Sequence, residues 1–396
     1  MPELIAQHNP SLPLRLVALL FGLALALAVA ELAVRLAGAR PARLPLSYDR
    51  QAIDLVASGQ AYVSFDAELG WVPTPNSTSV RRQVQYQHNH AGIRAGHEYT
   101  PFPAPGVRRY AAYGDSYTYC EEVQLDDCWT TMLEQRLPDT EVLNFGVPGY
   151  GPDQAWLRYQ RDGAGWHPCA VLIGYMVEDI DRVVNRFRPF FSPRTGLALA
   201  KPRFVLDNDK LVLLPSPASS PDTLKDPEWV EANLGPRDAW YFPGTFVANP
   251  FDALETVRLA RTVLYRRTDR ESWLPGRAER LFTPGTEAFD VVTRILVDFA
   301  GQIRANGATA IVMVFPLSTD VIAAIDGRPK AHSPLLKVLD QHAVPTIDLT
   351  DALGRAGHTV IDELASEHYR PSANMVVARA LARELPRLTA ATCGSS

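Results

Sequence analysis

Four short stretches carry side chains whose types and spacing could do chemistry. The first is Gly114-Asp115-Ser116, between a short apolar run and a helical segment. A serine at such a junction is lifted off the end of a sheet, with the amides of the following turn lacking intrahelical acceptors. An exposed oxygen beside unpaired N–H donors suits a nucleophile whose reaction develops an oxyanion. The second stretch is Asn144-Phe145-Gly146-Val147-Pro148-Gly149-Tyr150-Gly151 and the third Gly174-Tyr175-Met176-Val177-Glu178-Asp179. The fourth, His368-Tyr369-Arg370-Pro371-Ser372-Ala373-Asn374, precedes a carboxyl-terminal amphipathic segment. Taken singly, each has a plainer reading: a polar turn, or a histidine at an ordinary helix start.

The elements needed to bring these stretches together are legible. Strands are predicted over 109–113, 142–145, 170–174, 309–315 and 345–349, each short, apolar and ended by Gly, Pro or a polar turn. Helices are predicted over 129–136, 153–161, 287–305, 334–341 and 372–385. Such alternation implies an α/β fold, a doubly wound parallel sheet with helices on both faces. Function in such sheets gathers at the carboxyl ends of the strands, where all four stretches fall or lead. Between about 185 and 284 the alternation breaks. A hairpin over 204–213 and a cluster of Trp229, Trp240, Tyr241, Tyr265 and Trp273 suggest an insertion over the sheet, a lid, a substrate wall or a packed subdomain.

The amino-terminal run 16–30 is unbroken Leu, Ala, Val, Phe and Gly. As helix it rises about 22 Å, and apolar residues continue to 37, interrupted by Glu31 and Arg35, which can pair. The segment 16–37, after a tail over 1–15, reads as a transmembrane anchor or a signal peptide. Arg35, Arg40 and Arg43 follow the run 16–30, and only Arg15 and the amino terminus precede it, so loop charge alone does not favour export. The expected location is nevertheless the bacterial inner membrane with the main domain facing the periplasm, or secretion after cleavage. A lead-in over 41–106, containing His88 and His90 as candidate ligands or solvated turn residues, precedes the main domain over 107–387. Residues 388–396 are expected to be a disordered tail.

With 396 residues, 46% of them hydrophobic, the chain can bury one large core or two modest ones. A net charge of −5 leaves no electrostatic footprint for nucleic acid. Four scattered cysteines are too few for a disulfide framework or a zinc site. Cys120 and Cys128 could pair in an exported domain, whereas Cys169 reads as a small buried hydrophobe and Cys393 falls in the tail.

In their order along the chain, the four stretches resemble the SGNH/GDSL hydrolases, serine esterases and acyl-group enzymes on a three-layer, flavodoxin-like sheet. The resemblance covers roughly 108–182 and 306–387, and extends to the membrane-anchored bacterial branch through the Leu/Ala-rich amino terminus, the Gly-Val-Pro-Gly-Tyr-Gly block and the insertion. It implies Ser116 as nucleophile, Gly146 as an oxyanion donor and His368 as general base, with no metal or organic cofactor. The exported setting and the aromatic-rich insertion suggest an envelope or extracellular glycan, deacetylated or O-acetylated, as the acyl ester substrate, with lipid esters as the other candidate. Two departures stand out. Glu178-Asp179 replaces the usual Asn-Asp, and an ionised carboxylate repels an oxyanion. Either Glu178 is protonated, or it points away and Asn144 or Asn185 substitutes, or the enzyme is slow. Ala365 stands where an Asp usually orients the histidine, leaving Asp362, Glu363, Glu367, a carbonyl or a Ser-His dyad. These departures motivate the alternative of a catalytically weak polysaccharide-binding or scaffold protein.

Overall fold

The computed structural model describes residues 12–37, 44–193, 195–267, 277–357, 360, 363–364 and 368–394. These fall into two compact units. The first comprises the described residues of Met1–Ser47 and Phe242–Glu271, the second those of Tyr48–Tyr241 and Ser272–Ser396.

The first unit is built on a 25-residue helix, Leu12–Leu36, with mean hydropathy 2.5 and no buried residue. It is long and apolar enough to cross a membrane. Arg35 Nε donates to Glu31 at 2.7 Å, the pairing that their spacing predicts. Glu31 does more than that. Its carboxylate also accepts from the amides of Glu255 (2.8 Å) and Thr256 (2.9 Å), capping the helix Glu255–Arg267 from outside that helix. The predicted insertion is therefore divided. Residues 242–267, with Tyr265, belong to the apolar helix, whereas 185–241 belong to the second unit. Trp273 lies outside the described residues.

In the second unit the alternating elements are β1 (Arg108–Tyr113), α1 (Ser116–Tyr119), α2 (Trp129–Glu134), β2 (Thr140–Asn144), α3 (Pro152–Arg158), β3 (Ala170–Met176), α4 (Glu287–Ala305), β4 (Thr309–Phe315), α5 (Ser333–Gln341), β5 (Thr346–Asp348) and α6 (Pro371–Leu388). All five strands are parallel, in the spatial order β5-β4-β3-β1-β2. Counted from one edge that is 2-1-3-4-5, the flavodoxin-like order, whose switch point lies between β1 and β3. The strands are near-continuous apolar runs because both faces are covered. Tyr110, Ala112, Leu172, Met313 and Phe315 face a cluster shared with Trp129, Leu133, Val377 and Leu381 of α2 and α6. Tyr113, one residue out of phase, meets Phe299 of α4 on the opposite face, ring centroids 6.5 Å apart. The predicted hairpin appears as Arg203–Asp207 paired antiparallel with Lys210–Leu214.

Two expectations at the carboxyl end are corrected. The segment predicted to be a disordered tail contains a further helical turn, Ala390–Cys393. Cys169 is not a free hydrophobe but is bonded to Cys393, Cα atoms 5.2 Å apart, so the end of the chain is tied to the start of β3. Cys120 and Cys128 are also bonded. Each bridge shortens the unfolded chain's freedom, and the larger closes a 224-residue separation.

Candidate active site

Ser116 opens α1 at the carboxyl end of β1, beside the switch point. Asp115 caps that helix: its Oδ1 accepts from the amides of Tyr117 (3.0 Å) and Thr118 (3.5 Å). Its Oδ2 faces Arg182 Nη1 at 3.3 Å. Arg182 also reaches Asp179 Oδ1 at 2.5 Å and donates to the Tyr150 carbonyl at 2.8 Å. One guanidinium therefore joins the ends of β1 and β3 and the loop after β2. Burial pushes the Asp179 carboxyl well up, and the neighbouring Asp115 charge adds to it; between the two acids Arg182 is held above its ordinary range. Asp115 and Asp179 are thus structural supports behind the serine.

Ser116 and His368 wall one cavity of about 690 Å³, together with Glu178 and Arg188. Tyr117 packs beside the imidazole, ring centroids 5.5 Å apart. Two acids that the sequence reading left unassigned face His368: Glu121 Oε2 lies 3.5 Å from Nε2 and Glu122 Oε2 lies 3.6 Å from Nδ1. They sit just past α1, where Cys120 and Glu122 take left-handed backbone angles, φ 63° and 68°. Of the other acids expected near His368, Asp362 and Glu367 lie outside the described residues, as does Ala365. Glu363 accepts from Ser372 Oγ.

The glycine turn is placed differently from expectation. The Gly146 amide donates to Asn144 Oδ1 at 3.0 Å, and a Cβ there would stand 2.3 Å from the Tyr119 nitrogen. Gly146 is a close-approach residue that lets the turn pack on α1, and it does not line the cavity. Gly149 does, at φ +80°. Its amide has no acceptor among the described residues. Trp71 of the lead-in holds this turn, with Nε1 donating to the Pro148 carbonyl at 2.9 Å. The signal for Gly149 was the need for positive φ, which glycine spacing alone does not reveal.

Neither asparagine offered in place of the usual donor is available. Asn144 Nδ2 donates to the Thr118 carbonyl at 2.9 Å, and Asn185 Nδ2 donates to the Phe187 carbonyl and to Asp238. Glu178, half-buried, faces the cavity rather than turning away from it. The cavity also takes walls from both flanking segments. Tyr62, Arg81, Arg82 and Tyr86 come from the lead-in, and 188–197 contribute from the insertion. His88 is no ligand and no solvated turn residue. It is buried, with Nε2 2.8 Å from the Tyr119 hydroxyl and Nδ1 3.1 Å from Ser77 Oγ. His90 pairs with Glu98.

No family model matches the chain, and comparison with curated proteins returns no match. Among solved structures it is similar to a member of the lipolytic protein G-D-S-L family from Veillonella parvula, at 12% identity over 71% of this chain and 100% of that one, with a TM-score of 0.35. It is similar also to TesA, at 13% identity over 71% and 99%, TM-score 0.37. A catalytic mutant of Axe2, an acetylxylan esterase from Geobacillus stearothermophilus, aligns at 13% identity over 70% and 94%, TM-score 0.35. Superpositions this loose decide nothing about chemistry, for which the strand order and the residues at the strand ends are the guide.

Proposed function

We propose that the chain is a serine ester hydrolase of the SGNH/GDSL type, acting on small acyl esters carried by a polar substrate. The observation that carries this reading is the shared cavity of Ser116 and His368 at the carboxyl ends of a 2-1-3-4-5 parallel sheet. Ser116 Oγ attacks the ester carbonyl as His368 takes its proton. The tetrahedral oxyanion lies against the amides of Ser116 and Gly149, which replaces Gly146 in this role. The C–O bond to the alcohol breaks as His368 returns the proton to the leaving oxygen, and water resolves the acyl-enzyme by the reverse steps. If a sugar hydroxyl takes the place of water, the same intermediate supports O-acylation. An imidazolium formed at His368 faces the carboxylates of Glu121 and Glu122. The cavity wall is mostly polar, with seven charged side chains on it, which favours a short acyl group on a glycan over a long-chain lipid ester.

The apolar helix Leu12–Leu36 and two disulfides support an anchored domain in an oxidising, extracytoplasmic compartment. Glu178 on the cavity wall favours a second reading, a glycan-binding domain with little turnover, because its charge opposes an oxyanion.

A fluorophosphonate probe with peptide mapping tests the main reading. Labelling at Ser116, with p-nitrophenyl acetate turnover lost in Ser116→Ala, is the expected result. An unlabelled serine, or turnover that survives the substitution, refutes it and leaves the binding reading.

A further inference from the structure

The cations on the cavity wall are not alike. Arg81 has Glu121 at 3.6 Å, Arg82 has Glu122 at 2.7 Å, and Arg182 has Asp179 at 2.5 Å. Arg188 has no carboxylate within ion-pair distance among the described residues. Its Nη1 donates to the Gly149 carbonyl at 3.2 Å, and its Nε is buried without an acceptor. Its Cζ lies 3.6 Å from where a Cβ on Gly149 would stand, and the residue, half-buried, lines the cavity. A half-buried guanidinium without a carboxylate partner is costly, and burial, with the nearby charge of Arg182, brings this one down to about 10. A fold that carries such a group on the wall of the cavity that holds Ser116 and His368 has a use for it. The planar fork matches the paired oxygens of a carboxylate or a phosphate.

We infer that Arg188 docks an anionic group of the substrate, so that the cavity takes esters of acidic sugars, bearing a carboxylate or a phosphate close to the scissile bond. This rests on the esterase reading for the ester itself, whereas the anion site stands on Arg188 alone. Glu178 is the opposing charge. It lies near enough to Arg188 to favour its protonated form but outside ion-pair distance, and it would repel the same anion. Glu178 thus weakens the hold of Arg188 on an acidic substrate, and neutralising it strengthens that hold.

Calorimetric titration of the full-length protein in detergent with D-glucuronate, glucose 6-phosphate and glucose tests the site without turnover. Wild type is expected to bind at least one acid about tenfold or more tighter than glucose. The two acids sort carboxylate from phosphate. Arg188→Gln should erase the difference and Arg188→Lys retain part of it. Should Arg188→Gln fail to fold, Glu178→Gln decides: affinity for the acids rises while that for glucose stays. Equal binding of all three sugars by wild type, an acid preference that survives Arg188→Gln, or no response to Glu178→Gln overturns the proposal. Failure of Ser116 labelling with the acid preference intact would instead remove the esterase reading and keep the anion site.

Discussion

Arg182 Nη1 stands 3.3 Å from Asp115 Oδ2, which ties the residue before the candidate nucleophile to the far side of the switch point. The same guanidinium serves Asp179 and the Tyr150 carbonyl, so three strand ends share one cation. Removing it leaves two buried carboxylates facing each other. Breaking such a group on one side costs about 3–5 kcal/mol. Arg182→Met should therefore lose stability of about that size in urea unfolding, and Asp179→Asn in the same chain should restore part of it. A loss under about 1 kcal/mol would mean that the carboxylates are already neutral in the fold.

The two glycines of the turn after β2 should separate stability from activity. A Cβ at Gly146 meets backbone, the Tyr119 nitrogen at 2.3 Å, so Gly146→Ala must push the turn off α1 and lower the melting temperature. At Gly149 the added carbon meets a flexible tip, Leu197 Cδ1 at 2.8 Å, but the φ of +80° is strained for alanine. Relaxing that strain turns the amide away from the cavity. Gly149→Ala is expected to cut kcat on p-nitrophenyl acetate by about 10²–10³, the usual cost of one oxyanion donor, with a smaller change in melting temperature. Similar activity losses per folded molecule in both variants would remove Gly149 from the oxyanion site.

The sheet was readable because its strands are buried on both faces and its longest helix, α4, runs over the residues that the periodicity predicts. The carboxyl end of the chain was misread for a definite reason. Apolar pattern is silent about a disulfide between residues far apart, and Cys393 looked like tail because its bond to Cys169 and the Thr392–Thr309 hydrogen bond at 2.8 Å both join it to residues distant in the chain. The site was half legible. Ser116 and His368 stood out by residue type and place, but Arg182, Arg188 and the acids facing His368 act through tertiary position, which spacing does not encode. Gly146 and Gly149 look alike in the sequence; one faces backbone and the other the cavity. Glu31 shows the same limit from the other side. Its pairing with Arg35 followed from helical spacing, whereas its capping of Glu255–Arg267 joins residues more than two hundred positions apart.

His88 gives the structure a pH dependence that can be measured without any substrate. It is buried between Ser77 Oγ and the Tyr119 hydroxyl, on the helix that Ser116 opens. Burial, and the nearby charges of Arg158 and Arg94, bring it down to about 3. The unfolded chain binds a proton there at about pH 6.5, and the folded chain refuses it until about pH 3. Stability from this group is therefore full above the unfolded value and falls as the pH drops through the interval between the two, by about 1.4 kcal/mol per unit. His88→Gln removes the titration and keeps an amide able to meet both hydroxyls. Between pH 6.5 and 5 the wild type should lose about 2 kcal/mol more than the variant in urea unfolding. Parallel losses would show that the folded protein accepts the proton, and with it that the Tyr119 contact yields in mild acid.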